Sequence, residues 1–451
     1  MIFISEQDTI AAIATAPGKG GVGIIRISGK NLQTLAKHIS KINEIKPRYA
    51  YFTPFYNNNN EIIDTGILLY FKAPNSFTGD DIIEIQAHGG TIVLQLLLNR
   101  CIELGARLAL PGEFTKRAFL NEKIDLIQAE SIADLIGANS ESAAKMATRS
   151  LQGQFSHYIE IIKQEIIDIR TLVEGSLDFP EEDINFLQDA QIKNRLAKIE
   201  TNLNNILITA KQGSILREGI TLVLIGAPNV GKSSLLNVLA ENEIAIVTDI
   251  AGTTRDVIKE EIILEGITIH LMDTAGLRET DDIIENIGIE KSYHSLNIAD
   301  VALIIIDPRE GINHKTQQIL DKLPKQIKKI YIYNKIDLIN ELPKVTYIND
   351  KDPLIKISAK KNLGIDLLKK EILNQIGYIG EDNSLFLART RHVEALRKVQ
   401  QQITFAIETY FYLDLLAEHL SNAQFHLNEI TGEYTSDDLL GNIFSQFCIG
   451  K

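Results

Sequence analysis

Cysteine is nearly absent: Cys101 and Cys448 are the only two in 451 residues. Two cysteines in so long a chain make no disulfide framework. That excludes the stapled secreted scaffold and makes a reducing cytoplasm the expected compartment. Long apolar runs are missing as well. None reaches the ~18 residues that a bilayer-spanning helix requires, so no membrane partner is expected. The opening stretch, Met1-Ile2-Phe3-Ile4-Ser5-Glu6-Gln7-Asp8, has no basic segment ahead of an apolar one, so no signal peptide is expected. Positive charge is scarce: 46 Lys and Arg against 59 Asp and Glu leave a net charge of −13. That argues against a broadly basic RNA-coating surface, because phosphate neutralisation needs clustered Lys and Arg. It leaves room for a local nucleic-acid site or one shared with a basic partner. Proline is absent after Pro353, and glycine is absent between Gly380 and Gly432. A tail without breakers reads as helical.

What is present divides the chain. Its length suggests two to four domains, and 45% hydrophobic with 23% charged residues is a soluble globular composition. Residues 1–118 mix short β-like runs, such as Gly23 to Ile27 and Ile82 to Ile85, with a helix predicted over Thr91 to Leu104. Asn57 to Asn60 reads as a loop tip. From Glu113 the pattern turns helical, and residues 119–212 form the first part of a helical domain, interrupted only at Pro180. Residues 213–377 alternate strand and helix in the βα manner of a largely parallel sheet. Ile220 to Ile225, Val301 to Asp307 and Ile330 to Asn334 are its buried strands. Residues 378–451 form the second helical part, so the α/β module is an insertion in a discontinuous helical domain. No internal repeats are seen.

The insertion carries a nucleotide site. Gly226-Ala227-Pro228-Asn229-Val230-Gly231-Lys232-Ser233 matches G-x-x-x-x-G-K-[ST], after a strand and ahead of a helix that includes Ser234. Glycines let backbone N–H groups point at phosphates, and the helix N-terminus adds favourable potential. Lys232 reaches the terminal phosphates and Ser233 supplies a hydroxyl to Mg²⁺. Asp273-Thr274-Ala275-Gly276 follows another strand, where a metal-side carboxylate and a γ-phosphate-sensing glycine belong. Asn334-Lys335-Ile336-Asp337 places a carboxylate that accepts two hydrogens from guanine. Ser358-Ala359-Lys360 fits the backbone contact to the guanine oxygen. Between the first two motifs lies the switch, Thr248-Asp249-Ile250-Ala251-Gly252-Thr253-Thr254-Arg255-Asp256, with Thr254 the second Mg²⁺ hydroxyl. Four motifs in order indicate a GTP-hydrolysing P-loop domain. Leu277 stands where Ras-like proteins carry the water-orienting glutamine, so hydrolysis must use another residue or be very slow.

Other patterns carry less. Gly18-Lys19-Gly20-Gly21-Val22-Gly23 fits G-x-G-x-x-G, but a β-like run follows it, so a tight turn accounts for it better than a dinucleotide site. His88, beside Gly89-Gly90, reads as a loop residue. Cys448-Ile449-Gly450-Lys451 superficially fits a prenylation box, and Gly450 and Lys451 exclude it.

The P-loop stretch continued through Ser234-Leu235-Leu236-Asn237, with Gly252-Thr253-Thr254-Arg255-Asp256 and Asp273-Thr274-Ala275-Gly276-Leu277-Arg278, resembles the TrmE–Era–Der branch of GTPases. Pro111-Gly112-Glu113-Phe114-Thr115-Lys116-Arg117-Ala118-Phe119-Leu120-Asn121 and the terminal Phe447-Cys448-Ile449-Gly450-Lys451 narrow the resemblance to the MnmE (TrmE) family of tRNA-modification GTPases, over essentially the whole chain. The resemblance implies an N-terminal α/β folate-binding and dimerisation domain, a discontinuous helical domain and an inserted Ras-like G domain. It implies a homodimer, joined in a heterotetramer-type complex by MnmG, a partner that uses FAD and NADH. Together they would build an aminomethyl or carboxymethylaminomethyl group on C5 of the wobble uridine of certain tRNAs. The one-carbon unit would come from 5-formyltetrahydrofolate or a related tetrahydrofolate. Carried over by motif, the folate site falls on Arg26, Glu84, Lys123 and Lys451. A carboxylate suits the donor edge of a pterin, and Arg or Lys suits a glutamate tail or formyl oxygen. The resemblance also implies a K⁺ ion held by Asn229, the carbonyls of Thr248 and Ile250, and Thr253, and it places Glu285 on the attacking water. Cys448 has two readings, a nucleophile toward uridine and a small packed thiol, and the sequence leaves both open. Two rival functions are a ribosome-assembly GTPase of the Era or Der type and a non-catalytic switch. The first would bring a basic KH-like tail or a second G domain, and neither is present.

Overall fold

The computed structural model describes residues 8–178, 191–241, 260–273, 299–321, 323–324, 327–348, 351–378, 380, 386–433, 437–445 and 447–450. The chain forms two compact units. One comprises Met1–Ala133, Leu151–Lys163 and Gln424–Lys451; the other comprises Asp134–Ser150 and Gln164–Ala423.

The first unit is built on a six-stranded sheet. Its strands are β1 (Ile10–Ile13), β2 (Gly20–Gly29), β3 (Tyr51–Tyr56), β4 (Ile62–Phe71), β5 (Asp81–Gly89) and β6 (Arg107–Leu108), in the order β3-β4-β5-β2-β1-β6. All neighbours are antiparallel except β1 and β6. The two-residue alternation of β2 and β5 decides which face is buried. Ile25, Ile27, Ile83 and Ile85 enter a core with α1 (Gln33–Ser40) and α2 (Thr91–Glu103). Arg26 and Glu84, which pair across the strands, fall on the other face. Part of that face is covered by Phe114 of α3 (Glu113–Leu120), which packs with Ile10, Ala12 and Ala109.

The far end of the chain returns to the same unit. Leu440, Ile443 and Phe444 of α13 (Asp437–Ser445), with Phe447, pack against Leu126 and Ala129 of α4 (Leu126–Ile136) and against Phe119. Gly112 enters α3 at φ 64°, and a Cβ there would lie 2.7 Å from the Phe444 carbonyl oxygen. A positive φ and a close backbone approach both require glycine at that point of the Pro111–Asn121 stretch.

The second unit holds the α/β module. Its strands are β7 (Ile220–Ile225), β8 (Glu260–Leu264), β9 (Ile267–Asp273), β10 (Val301–Ile306), β11 (Lys328–Tyr333), β12 (Lys344–Ile348) and β13 (Asp352–Lys356). The order is β12-β13-β11-β10-β7-β9-β8, parallel from β13 to β9 and antiparallel at both edges. The helices α8 (Lys232–Glu241), α9 (His314–Asp321) and α10 (Ile365–Ile376) follow β7, β10 and β13 in the chain. The fully buried strand Val301–Ile306 is the run of six apolar side chains that a two-sided cover demands.

The remaining helices are α5 (Glu141–Leu151), α6 (Gln154–Asp178), α7 (Ile192–Glu218), α11 (Thr390–Glu408) and α12 (Leu413–Thr431). Helices α7 and α11 lie side by side and antiparallel: Gln400 bonds to Asn204, Thr404 to Glu200 and Thr390 to Glu218. Each buries an apolar stripe at helical spacing, Leu196, Ile199 and Leu203 on one and Val393, Leu396, Val399 and Ile403 on the other. Two sequence divisions fall inside helices. Residue 118 is within α3, and residue 213 is within α7, which continues to Glu218.

Gly213 is buried in mid-helix, and a Cβ on it would lie 2.0 Å from the Phe386 carbonyl oxygen. Helix propensity alone favours alanine over glycine by about 1 kcal/mol. The close approach predicts the opposite sign: Gly213→Ala should lose about 1–3 kcal/mol through overpacking. A urea midpoint lower than wild type is the expected result, and a raised midpoint would refute the contact.

Candidate functional site

The order of strands reverses at β7, which has β10 on one side and β9 on the other. A crevice at the carboxyl end of such a strand is where open α/β sheets bind ligands. The loop Gly226–Gly231 leaves β7 there and enters α8. Asn229 takes φ 62° and Gly231 φ 100°, left-handed turns of the kind that let a loop's successive amides converge on an anion. A Cβ on Gly226 would lie 2.5 Å from the Ile305 carbonyl oxygen, and one on Gly231 would lie 2.2 Å from Asn334 Nδ2. The two glycines are therefore required by their neighbours as well as by the curl. Ser233 and Ser234, in the first turn of α8, are exposed, as is Asn229; Val230 is buried. Lys232 Nζ donates to the carbonyls of Gly226 at 2.7 Å and Ala227 at 3.3 Å, so the ammonium already lies over the loop.

Asn334 ties three loops together. It is 2% exposed, its Nδ2 donates to the Val230 carbonyl at 2.8 Å, and its Oδ1 accepts from the Ala359 amide at 3.0 Å. The first bond reaches the P-loop and the second reaches Ser358-Ala359-Lys360. Asp337 follows on a single 3-10 turn, Ile336–Leu338, with its Oδ1 accepting from the Ser358 hydroxyl at 2.6 Å. That bond, with backbone and lysine contributions, holds the Asp337 carboxyl below the usual carboxylate range. Lys335 is in the left-handed region at φ 65°, and its Nζ lies 3.1 Å from Asp307 Oδ2. Ser358 and Ala359 are buried and Lys360 is exposed.

Asp307 is a residue the sequence reading passed over. It closes β10, is 1% exposed, and accepts from Arg309 Nε at 2.9 Å and Nη2 at 2.7 Å. The Arg309 guanidinium, ahead of Lys335, drives its carboxyl far below the usual range. An acid that directly follows an all-apolar strand was the available signal.

In the first unit, Arg26 and Glu84 meet on the free side of the sheet. Arg26 Nε is 3.0 Å and Nη2 2.9 Å from Glu84 Oε1, with the two side chains 20% and 15% exposed. Arg26 Nη1 also donates to the Gly450 carbonyl at 3.4 Å, and its guanidinium lies 5.9 Å from the Phe114 ring centre. The structure thus brings together Arg26, Glu84 and the Cys448–Gly450 tail. Lys123 is exposed on the turn after α3, where its amide donates to the Ala118 carbonyl. Cys448 is exposed, which removes the packed-thiol reading; the packed cysteine is Cys101, whose thiol burial pushes up to about 12. His88 is an exposed strand residue whose Nδ1 lies 2.8 Å from Asp64 Oδ1. Thr248, Asp249, Ile250, Ala251, Gly252, Thr253, Thr254, Thr274, Ala275, Gly276, Leu277, Glu285 and Lys451 lie outside the described residues, and Asp273 is described only as the backbone that ends β9.

The family profile for the MnmE helical domain matches residues 126–448, and that for the GTP-binding protein TrmE N-terminus matches residues 9–123. The tRNA modification GTPase MnmE of Neisseria meningitidis serogroup A is 55% identical over 444 residues, covering 98% of this chain and 99% of that protein. The protein of the same description from Chromobacterium violaceum is 52% identical over 443 residues, with 98% of each covered. Among solved structures, Aquifex aeolicus Era bound to GDP.AlF4 matches at 26% identity and a TM-score of 0.28, covering 41% of this chain and 67% of that one. With family matches reaching from residue 9 to residue 448 and relatives identical at more than half of the aligned positions, this chain belongs to the MnmE (TrmE) family and is a GTP hydrolase acting in tRNA modification.

Proposed function

We propose that this GTPase adds an aminomethyl or carboxymethylaminomethyl group to C5 of the wobble uridine of certain tRNAs, with a tetrahydrofolate such as 5-formyltetrahydrofolate as one-carbon donor and with the FAD-dependent MnmG as partner. The observation that carries this reading is the Arg26–Glu84 pair with the Gly450 carbonyl beside it. A half-buried carboxylate and guanidinium on a partly covered sheet face suit a pterin edge and its glutamate tail. Lys123 and Lys451 complete the set, and Cys448 is the nucleophile candidate in the same tail. The modules are residues 1–118, 119–212, 213–377 and 378–451, the second and fourth forming one helical domain. Exposed apolar residues of the first module, Val22, Phe52, Ile62 and Ile92, support a homodimer joined there. Two free cysteines fit a reducing cytoplasm.

The nucleotide residues divide by chemistry. Ser233, exposed at the start of α8, and Thr254 supply hydroxyls to Mg²⁺, while Lys232 meets the phosphates. Asp337 reads guanine. Asn229, exposed on the phosphate loop, supplies one side-chain oxygen to a K⁺ site shared with Thr248, Ile250 and Thr253, since oxygen donors suit a large hard cation. Glu285 organises the attacking water, a task Leu277 cannot perform.

Three measurements test these assignments. Wobble-uridine analysis of tRNA should show the C5 group lost in a deletion strain, restored by the wild-type gene, and not restored by Arg26→Ala, whose GTP turnover should be unchanged. Full restoration by Arg26→Ala would remove the folate assignment. Turnover compared in KCl and NaCl at matched ionic strength should be several-fold faster in KCl, with Glu285→Ala binding GTP normally and slow in both salts. Equal rates in the two salts would end the potassium role. Asp337→Asn should move preference from GTP toward XTP by about tenfold or more, because a charged hydrogen bond is worth about 1.5–3 kcal/mol. Unchanged preference would refute the base reading.

A further inference from the structure

Asp307 stands at the carboxyl edge of the α/β sheet, directly after β10, and is buried. Strand β10 lies between β7, which leads to the phosphate loop, and β11, which leads to Asp337. Strands β7 and β11 are therefore two strand spacings apart, about 10 Å. The Asn334 amide donates to the Ile306 carbonyl at 3.0 Å, so the ends of β10 and β11 are level. A nucleotide with its base at Asp337 and its phosphates at Gly226–Lys232 has to cross the end of β10.

Two cations share the Asp307 carboxylate. Arg309 meets both oxygens by itself: its Nε and its amide donate to Oδ1 at 2.9 and 3.1 Å, and its Nη2 donates to Oδ2 at 2.7 Å. That fork is local. With the Glu310 and Gly311 amides donating to the Asp307 carbonyl, both at 3.0 Å, it closes the turn after β10. The turn needs no second cation, yet Lys335 Nζ donates to Oδ2 at 3.1 Å from 28 positions away. Lys335 holds its backbone at φ 65°, where glycine is the ordinary choice. What a lysine adds to glycine at that point is its side chain. The stem runs from the end of β11 to the end of β10, across the line that the nucleotide takes.

We propose that Asp307 is a positioning residue for the guanine nucleotide. Its carboxylate holds the Lys335 ammonium, and the Lys335 stem, stretched between two strand ends, forms an apolar rail on which the nucleotide rests. A lysine whose charged head is paired presents its methylenes as apolar surface. An unanchored lysine would have to be ordered when the nucleotide binds, and the ion pair removes that entropy cost in advance. The effect belongs to binding and release. The γ-phosphate lies at the other end of the nucleotide, so GTP and GDP gain equally. This rests on the guanine reading of Asp337 and the phosphate loop, and it adds the residue that orders Lys335 between them.

The competing account is that Asp307 serves only its own turn through Arg309, and three variants separate the two. Release of ribose-labelled GDP from the full-length protein is followed by stopped flow, with KM and kcat for GTP beside it. Such a rate counts only molecules folded well enough to hold the label. Asp307→Asn should release GDP about tenfold faster or more, the worth of one charged hydrogen bond, and should raise KM by a similar factor with little change in kcat. Lys335→Met keeps an unbranched stem and loses the ammonium. It should release GDP as fast as Asp307→Asn, and the double variant should be no faster than either. Arg309→Gln should release GDP at the wild-type rate. Additive losses in the double variant, wild-type release from Lys335→Met, or release from Arg309→Gln as fast as from Asp307→Asn would each overturn the proposal. Lys335→Met reads the same anchor if Asp307→Asn does not fold. Unchanged nucleotide preference in Asp337→Asn would refute the base reading alone, because the Asp307–Lys335 coupling is measured on GDP release whichever group reads the base.

Discussion

The α/β module depends on how its two ends are held. The chain leaves α7 at Glu218 and returns at Phe386, and three contacts close that circuit within the second unit. Gly213 lets the Phe386 backbone lie directly on α7. Ser150 Oγ accepts from the Leu387 amide at 3.0 Å and donates to the Leu387 carbonyl at 3.3 Å. Asp134 Oδ1 accepts from Arg217 Nε and Arg389 Nη2, both at 2.8 Å, one arginine on each side of the insertion. The Asp134 side chain is 8% exposed, so removing either arginine leaves a buried charge poorly compensated. Closing so long a segment at its base costs chain entropy once, and each further doubling of the insertion adds only about 0.6 kcal/mol. A large module can therefore be accommodated inside a helical domain provided the closure itself is firm.

From that base the nucleotide site follows by short steps. Gly219 ends α7, β7 starts at the next residue, and six residues later the chain is at the P-loop. The loop is not held by its own residues alone. Asn334 and Ile305, from the next two strands, occupy the space where side chains on Gly231 and Gly226 would stand. Phosphate loop, base loop and the Ser358 segment are thus one hydrogen-bonded assembly. The buried Asp307 anchors its cationic side through Arg309 and Lys335.

Much of this was legible because it repeats at fixed spacing. Alternation in β2 and β5 showed strands, and the apolar run of β10 showed a two-sided cover. The P-loop and base motifs announced their places because each requires a residue type at a set distance from a strand end. The rest was hidden for physical reasons. Gly213 looks like a boundary because glycine disfavours helices; here it is a packing residue whose partner lies 173 positions later in the chain. Arg26 and Glu84 look like ordinary solvent-facing residues of two strands, and only cross-strand register joins them. Asp307 and Arg309 are two residues apart and carry no motif.

The C-terminal tetrapeptide shows the same limit and how structure removes it. Read as a string, Cys448-Ile449-Gly450-Lys451 offers a thiol whose environment is unspecified. In the fold the Gly112 amide donates to the Cys448 carbonyl at 3.4 Å, and Arg26 reaches the Gly450 carbonyl. Gly450 has φ 95°, and a Cβ there would meet the Ile13 carbonyl oxygen at 2.7 Å, so the chain passes too close to β1 for any side chain. The backbone of the tail is pinned from two sides while the Cys448 side chain stays in solvent. Cys101, by contrast, is sealed in the sheet core with a thiol held protonated at neutral pH. Of the two thiols, then, only the one on the pinned tail is exposed to meet another molecule, and it stands two residues from the Gly450 carbonyl that Arg26 holds.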